Sequence, residues 1–475
     1  YGLTPEIVAV AAERSPQLLI TVDNGIASID GVAAARAKGM EVIVTDHHLP
    51  GTELPAAEAI VNPNQPDCGF PSKNLAGVGV MFYLLLALRA GRRARGMPTP
   101  NLAELLDTVA LGTVADLVPL DQNNRILVEQ GLRRIRSGQC SAGIRALAAA
   151  AGRDLNRLTC ADIGFGLAPR LNAAGRLEDM SIGIECLLTD DPVHAQRLAT
   201  MLDELNRTRR AVEAEMRQQA EQYVETFADT TGKKPFGICV HRPGWHPGVV
   251  GIVAARLKER FHRPAIVFAG DGADLKGSAR SIPGLHMRDL LVDIASGAPD
   301  LITRFGGHAM AAGLTLPASH LERFRGKFDE AVGKRLSAGD LERTIVTDGP
   351  LAAGEFDLET AERLRIAGPW GQAFPEPCFD NAFELVSSRP VGEGHLKLRL
   401  RVPGDGAVVD AIAFNRQDPD NELSPGTRLR VIYRLEVNRY RGMSMPQLIV
   451  VYLERVAVEG GATADRTDIA DGESV

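Results

Sequence analysis

The chain has 475 residues, 45% of them apolar and 24% charged, a globular composition that is too long for one ordinary core and predicts two to four domains. No apolar run is long enough to span a bilayer and no secretory leader is visible, so a membrane or exported protein is not expected; six scattered cysteines (Cys68, Cys140, Cys160, Cys186, Cys239, Cys378) without a Cys-x-x-Cys pair speak against a zinc ribbon or disulfide framework and for a reducing cytoplasm. The net charge of −7 argues against nucleic acid at first sight, but the tail from 457 to 475 holds Glu459, Asp465, Asp468, Asp471 and Glu473 against Arg466, which leaves −3 for the rest, so local basic clusters decide.

Leu18-Leu19-Ile20-Thr21-Val22 reads as a strand that ends at Asp23-Asn24-Gly25. An Ala-rich, helix-compatible stretch follows from about Ile26 to Lys38, and then the buried-strand run Val42-Ile43-Val44-Thr45 leads into Asp46-His47-His48. The result is a β-α-β unit with carboxylates and histidines just past both strand ends, where open α/β sheets gather ligands. An Asp after a strand is often only a turn or cap residue. Adjacent histidines after Asp at a second strand end of the same unit are less ordinary, and oxygen plus imidazole donors there suggest a metal site and hydrolysis. Glu104 to Leu111 reads as a helix that breaks at Gly112, leaving Asp116 isolated in apolar surroundings. A buried, unpaired carboxylate is costly, so Asp116 either caps the next segment or binds a cation.

Residues 1 to about 190 are expected to form this first α/β domain, including the turn-rich Asn62-Pro63-Asn64-Gln65-Pro66. Residues 191–230 predict a long connecting helix, with Leu198, Leu202, Leu205, Val212, Met216 and Tyr223 at helical spacing as core-packing positions. A second α/β unit is expected over 231–335, with a strand at Phe236 to Val240, a helix at Val249 to Phe261 and a returning strand at Ala265 to Phe268. Gly248-Val249-Val250-Gly251 at the helix start is either a phosphate cradle or a plain helix start. Ser278 and Arg280, two residues apart on a strand, would share a face and could clamp a phosphate, or form an exposed polar face. His308 after Gly306-Gly307, Arg176 after Asn172-Ala173-Ala174-Gly175, and the preceding Arg170 carry the same two readings: ligand contact, or a satisfied or solvated side chain. From 340 to 456 short alternating runs predict a small β-barrel or sandwich. Its Lys397, Arg399, Arg401 stripe could track a phosphate backbone, although a solvated strand face is the commoner meaning. Aromatic content of 5% does not suggest extensive base stacking. The acidic tail 457–475 is expected to be disordered.

Thr21 to Gly25, Val44 to Gly51, Gly112 to Asp116, Arg170 to Arg176, Trp245 to Gly251, Gly277 to Arg280 and Gly306 to Gly313 stand in one order along the chain. Together they resemble the DHH phosphoesterase superfamily, and within it the bacterial single-strand-specific exonucleases. The resemblance implies an α/β fold built from a DHH parallel-sheet domain, a connecting long helix, an α/β DHH-associated domain and a C-terminal OB-fold barrel. It implies that Asp23, His47 and Asp116 are metal ligands, that Asp46 supports the site, and that His48 faces the scissile phosphate. Arg170, Asn172, Arg176, Ser278, Arg280 and His308 would bind substrate between the lobes. The activity implied is 5′-to-3′ hydrolysis of single-stranded DNA to 5′-mononucleotides in repair and recombination, by a monomer working with a helicase and a single-strand-binding protein. Oxygen and imidazole donors without thiolate suit Mn2+ or Mg2+, in a two-metal site.

The family's first motif, an N-terminal strand ending in closely spaced aspartates, would lie before Tyr1. Those aspartates supply metal ligands, so the chain as written is expected to bind metal poorly and to cut weakly. Two other readings compete. A DHH phosphodiesterase of short oligonucleotides or cyclic dinucleotides would have little use for the barrel. A noncatalytic single-strand binder would not need Asp23, His47 and Asp116 together.

Overall fold

The structure is a computed structural model that describes residues 2–232, 234–392, 394–404, 406–414, 423–440 and 442–456. The expected acidic tail lies outside the described residues. Two bodies divide the chain, 1–344 and 345–475. No helix among the described residues is long and apolar enough to cross a membrane.

The first body opens with α1 (Pro5–Ala12), β1 (Leu18–Val22), α2 (Ile29–Ala37), β2 (Glu41–Thr45) and β3 (Ala59–Val61). The three strands form a parallel sheet in the order β1-β2-β3. Leu3, Val8, Val32, Ala35, Met40, Val42 and Val44 make a small core beneath one face. On β1, Leu18, Ile20 and Val22 are exposed, and no described strand pairs with its outer side. The short β3 escapes the sequence reading because three residues give no measurable alternation.

Helices α3 (Gly77–Ala94), α4 (Leu106–Ala115), α5 (Gln122–Arg136) and α6 (Ala142–Ala150) follow, with a 3-10 turn at Leu102–Leu105 ahead of α4. Here the expected helix break at Gly112 is corrected: α4 runs through Gly112, and Asp116 is its C-cap. Glycine stands there for space, since a Cβ at 112 would lie 2.7 Å from Val78 Cγ1 on α3. The expectation that Asp116 is buried is also corrected, because its side chain is 41% exposed.

A continuous helical run comprises α7 (Cys160–Asp162), a π-turn (Ile163–Leu167) and α8 (Ala168–Leu177). After α9 (Ser181–Leu188), α10 (Pro192–Thr231) is a 40-residue helix, about 60 Å long at 1.5 Å per residue. Asp191 caps its start and Gly232, at φ +66°, ends it. Leu198, Leu202 and Met216 of the predicted stripe are buried. Tyr223 is 41% exposed, with the Arg325 guanidinium over its ring.

The rest of this body comprises β4 (Ile238–His241), α11 (Val250–Phe261), β5 (Ala265–Ala269), β6 (Asp274–Arg280), α12 (Met287–Gly297), β7 (Arg304–Gly307), β8 (Ala311–Pro317) and α13 (Leu321–Arg335). The sheet order is β4-β5-β6-β8-β7, with β4 and β5 parallel and the other pairs antiparallel. Phe268, Phe324 and Phe328 anchor its core.

The second body carries α14 (Leu358–Ala367) and β9 (Phe379–Val391), β10 (His395–Arg401), β11 (Val408–Ala413), β12 (Arg428–Tyr440) and β13 (Met443–Arg455). They close into a barrel ordered β10-β11-β13-β12-β9. Alternate residues Leu396, Leu398 and Leu400 fill its interior with Val431, Tyr433 and Leu448. β9 was not anticipated, because Pro390 and its mixed polar sequence mask the alternation.

The Gly112 contact yields a test. Gly112→Ala should lower the urea midpoint by an amount equivalent to about 1–3 kcal/mol of overpacking. Gly91→Ala, in α3 with nothing near its added Cβ, should stabilise by up to about 1 kcal/mol. Equal and small effects at both positions would show that α3 and α4 are not packed this tightly.

Candidate metal centre and phosphate pocket

β1 and β2 deliver the first carboxylate and the histidines side by side because they are parallel and in register, Val22 opposite Thr45. The Asp23 amide donates to the Thr45 carbonyl (3.0 Å), which extends the ladder by one bond. Asp23 then turns into the left-handed region at φ +64°, tolerated by Asp better than by most residues. Its carboxylate lies against the start of α3, where a Cβ on Gly77 would sit 2.4 Å from Oδ1. Only glycine fits there.

Asp46 is 1% exposed. Its Oδ2 accepts from the Ile26 amide (2.9 Å), and its Oδ1 accepts from the amides of His47 (2.7 Å) and His48 (3.1 Å). The same Oδ1 lies 2.7 Å from His48 Nδ1. Burial alone would raise the Asp46 carboxyl. The His48 contact and the three amides outweigh it and hold the group at about 2. His48 is raised in turn, chiefly by that contact. With Nδ1 committed to Asp46, Nε2 is the His48 nitrogen left for a ligand.

His47 Nε2 lies 3.0 Å from Asp23 Oδ1 and 3.5 Å from Asp116 Oδ2. Burial pushes His47 down, but the hydrogen bond to Asp23 and the charges of Asp116 and Asp23 carry it above the usual histidine range. Burial raises Asp116, with the His47 charge opposing and that of Asp23 adding. Donor atoms of Asp23, His47 and His48 come within 4.8 Å of one another. Two carboxylates converging on one imidazole nitrogen, without thiolate, form a hard donor set that fits Mn2+ or Mg2+.

Two residues of this centre went unrecognised in the sequence. Asn62 Nδ2 donates to the His48 carbonyl (2.9 Å), and Asn64 Nδ2 donates to the His47 carbonyl (2.6 Å). They lie in the turn-rich segment after β3, and its Asn-Pro-Asn-Gln-Pro composition was the only signal. They fix the backbone that carries both histidines.

A cationic pocket forms at the start of α11. Arg280 Nη1 donates to Ser278 Oγ (3.0 Å), so the two residues share a face of β6 as their spacing predicted. A Cβ on Gly251 would lie 2.9 Å from Arg280 Nη2 and 3.0 Å from Ser278 Oγ, which places the pair against the first turn of the helix. Arg176 reaches across from α8 and donates to the Gly248 carbonyl (3.1 Å). Burial and the neighbouring Arg176 both pull Arg280 downward. Two guanidiniums, a hydroxyl and a helix N-terminus together make an anion site. His308, at the β7–β8 turn, stacks toward His48 with ring centroids 6.4 Å apart. Burial and the charges of His48, Arg288 and His286 lower His308. His308, beside His48 and hydrogen-bonded through its amide to Ala311, the strand partner of Arg280, thus links the candidate metal donors to the candidate phosphate pocket.

Other predicted residues lie elsewhere or are already occupied. Arg170 joins neither set of residues. It bridges to Asp203 on α10 (2.7 Å) and donates to the Gly166 carbonyl (2.6 Å), a structural tie. Asn172 is exposed on α8. In the barrel, Lys397 pairs with Asp410 (2.7 Å), Arg399 lies 3.9 Å from the same Asp410, and Arg401 lies 3.8 Å from Glu384. Carboxylates of the flanking strands thus offset the basic stripe.

Three family profiles match the chain: the DHH family, N-terminal domain, over 3–113; the DHHA1 domain over 234–334; and the RecJ OB domain over 347–452. The single-stranded-DNA-specific exonuclease RecJ of Dickeya dadantii (strain 3937) is 54% identical over 464 residues, covering 95% of this chain and 80% of that protein. The chain belongs to the RecJ family. The RecJ of Escherichia coli (strain K12) is 52% identical, with 95% of this chain and 79% of that protein covered. The crystal structure of RecJ from Thermus thermophilus in complex with Mn2+ matches with a TM-score of 0.77 at 31% identity, over 97% of this chain and 65% of that one. The RecJ fold thus holds in all its parts: DHH sheet, long helix, DHH-associated domain and OB barrel.

The Asp46 network carries a pH signature. Asp46→Asn should cost about 1–3 kcal/mol at neutral pH, because amides that met a carboxylate meet a weaker acceptor. A depressed carboxyl stabilises above its unfolded value of 3.8 and loses that contribution as pH falls toward about 2. The gap between wild type and variant in urea midpoint should therefore narrow below about pH 4. A gap that stays constant down to about pH 3 would remove Asp46 as its source.

Proposed function

We propose that this RecJ-family chain hydrolyses single-stranded DNA from the 5′ end, with Asp23, His47 and Asp116 holding a divalent Mn2+ or Mg2+ ion. The carrying observation is that Asp23 and Asp116 meet on His47, with His48 beside it stacked toward His308. When bound, the ion supplies Lewis acidity and lowers the pKa of water. The protein's own groups do the rest. Arg176, Ser278, Arg280 and the start of α11 hold a terminal phosphate and set the strand's register. Asp46 favours the charged form of His48 and directs its outward nitrogen at the scissile phosphate, where added positive charge favours the transition state. Neutral His308 offers a hydrogen bond without further charge. Release of 5′-mononucleotides follows from gripping the 5′ end while cutting beside it.

We further infer that a full two-metal site needs more oxygen donors than Asp23 and Asp116 supply. A helicase and a single-strand-binding protein as partners, a monomeric state and a cytoplasmic location belong to the same reading.

Digestion of a 5′-phosphorylated single strand with manganese tests this, using this chain and one extended upstream. Mononucleotide release by the extended chain supports the assignment, and His47→Ala should abolish it. Strand binding without cleavage by either chain would transfer the assignment to a noncatalytic binder. Arg280→Ala should weaken affinity for 5′-phosphorylated strands by roughly ten- to a hundredfold and leave 5′-hydroxyl strands little changed. Equal losses on both strands would place the terminal phosphate elsewhere.

A further inference from the structure

Phe165 is 81% exposed, the most exposed aromatic ring among the described residues. It sits in the π-turn Ile163–Leu167, whose other members Ile163, Gly166 and Leu167 are buried. Exposing a large ring while its neighbours pack inward costs hydrophobic stabilisation, and π-turns occur frequently at functional sites. The surroundings point to a purpose. Gly164 packs on α4, its Cβ position 3.8 Å from Val114 Cγ1, and Asp116 follows two residues later. Leu117, next to Asp116, is 70% exposed at φ +58°. In the other direction the π-turn continues without a break into α8. Phe165 on the π-turn and Asn172 and Arg176 on α8 are all exposed.

We propose that Phe165 is a base-stacking residue that seats a nucleobase of the single strand beyond the scissile phosphate. The proposal rests on the functional reading given above. A strand whose terminal phosphate lies at Arg176 and Arg280, and whose backbone passes Asp116, next meets the Phe165 ring. Stacking is sequence-tolerant because every base has a π-face. A single ring at a fixed distance from the phosphate pocket would reward a base at one position and set a minimum strand length for tight binding.

The test is binding, so it does not depend on cleavage by this chain. The probe is a 5′-phosphorylated strand with phosphorothioate linkages, carrying 2-aminopurine at successive positions from the 5′ end. With the wild-type chain, fluorescence should be quenched at one position or two adjacent ones, and Phe165→Ala should abolish that quenching. Phe165→Ala should also weaken binding about tenfold, Phe165→Leu nearly as much, and Phe165→Trp should restore it. An abasic residue at the quenched position should erase the difference between wild type and Phe165→Ala. Unchanged affinity in Phe165→Ala overturns the proposal. So does a loss that persists on the abasic strand, or one that Phe165→Leu repairs. Failure of the wild-type chain to bind any single strand would instead overturn the functional reading beneath it.

Discussion

The centre depends on one buried carboxylate. Asp46 accepts amides from Ile26, His47 and His48 and meets the His48 ring, so it joins the turn after β1 to the segment after β2. Without that junction the two strand ends would be neighbours without a fixed geometry between them. A carboxylate rather than an amide serves here because it accepts on both oxygens and favours charge on His48. The Asn62 and Asn64 amides complete the arrangement from below, by holding the carbonyls of the same two histidines. In the proposed mechanism Asp46 is thus a positioning residue, acting through His47 and His48.

The two lobes of the first body are tied by contacts that leave little slack. A Cβ on Gly248 would lie 2.3 Å from the Arg176 carbonyl oxygen, so backbone meets backbone where the phosphate pocket forms. Along α10, Asp203 holds Arg170, Glu213 holds Arg209 and Arg256, and Glu221 holds Arg260. Asp203 and Glu213 are buried, so leaving either without its arginine would be costly, and the series fixes the rotation of α10 against both lobes. Arg170 acts in this series. It keeps α8, and hence Arg176, in place against α10.

Strand ends and the barrel strands other than β9 were legible in the sequence because their patterns are local. Val42 to Thr45 and Leu396 to Leu400 declare themselves by apolar runs or alternation. The pairing of Ser278 with Arg280 followed from strand periodicity alone. What escaped was set by tertiary contact. Gly112 looks like a helix breaker until Val78 is seen beside it, and helix propensity yields to packing there. Asp116 looked buried because its sequence neighbours are apolar, yet Leu117 beside it is itself exposed. Asn62 and Asn64 looked like turn residues, and their hydrogen bonds to residues some fifteen positions earlier leave no trace in sequence spacing. The basic stripe of β10 was visible, whereas Asp410 and Glu384 on the flanking strands were not connected to it until the barrel closed.

Among the described residues, no strand pairs with the outer edge of β1. Leu18, Ile20 and Val22 present an apolar face, and the outer edge of the strand offers backbone donors and acceptors to any extended segment. Such an edge is a template for strand addition, in cis or from another molecule. Asp23 is the next residue along that strand. A segment paired along that edge would therefore end beside the carboxylate proposed to hold the metal.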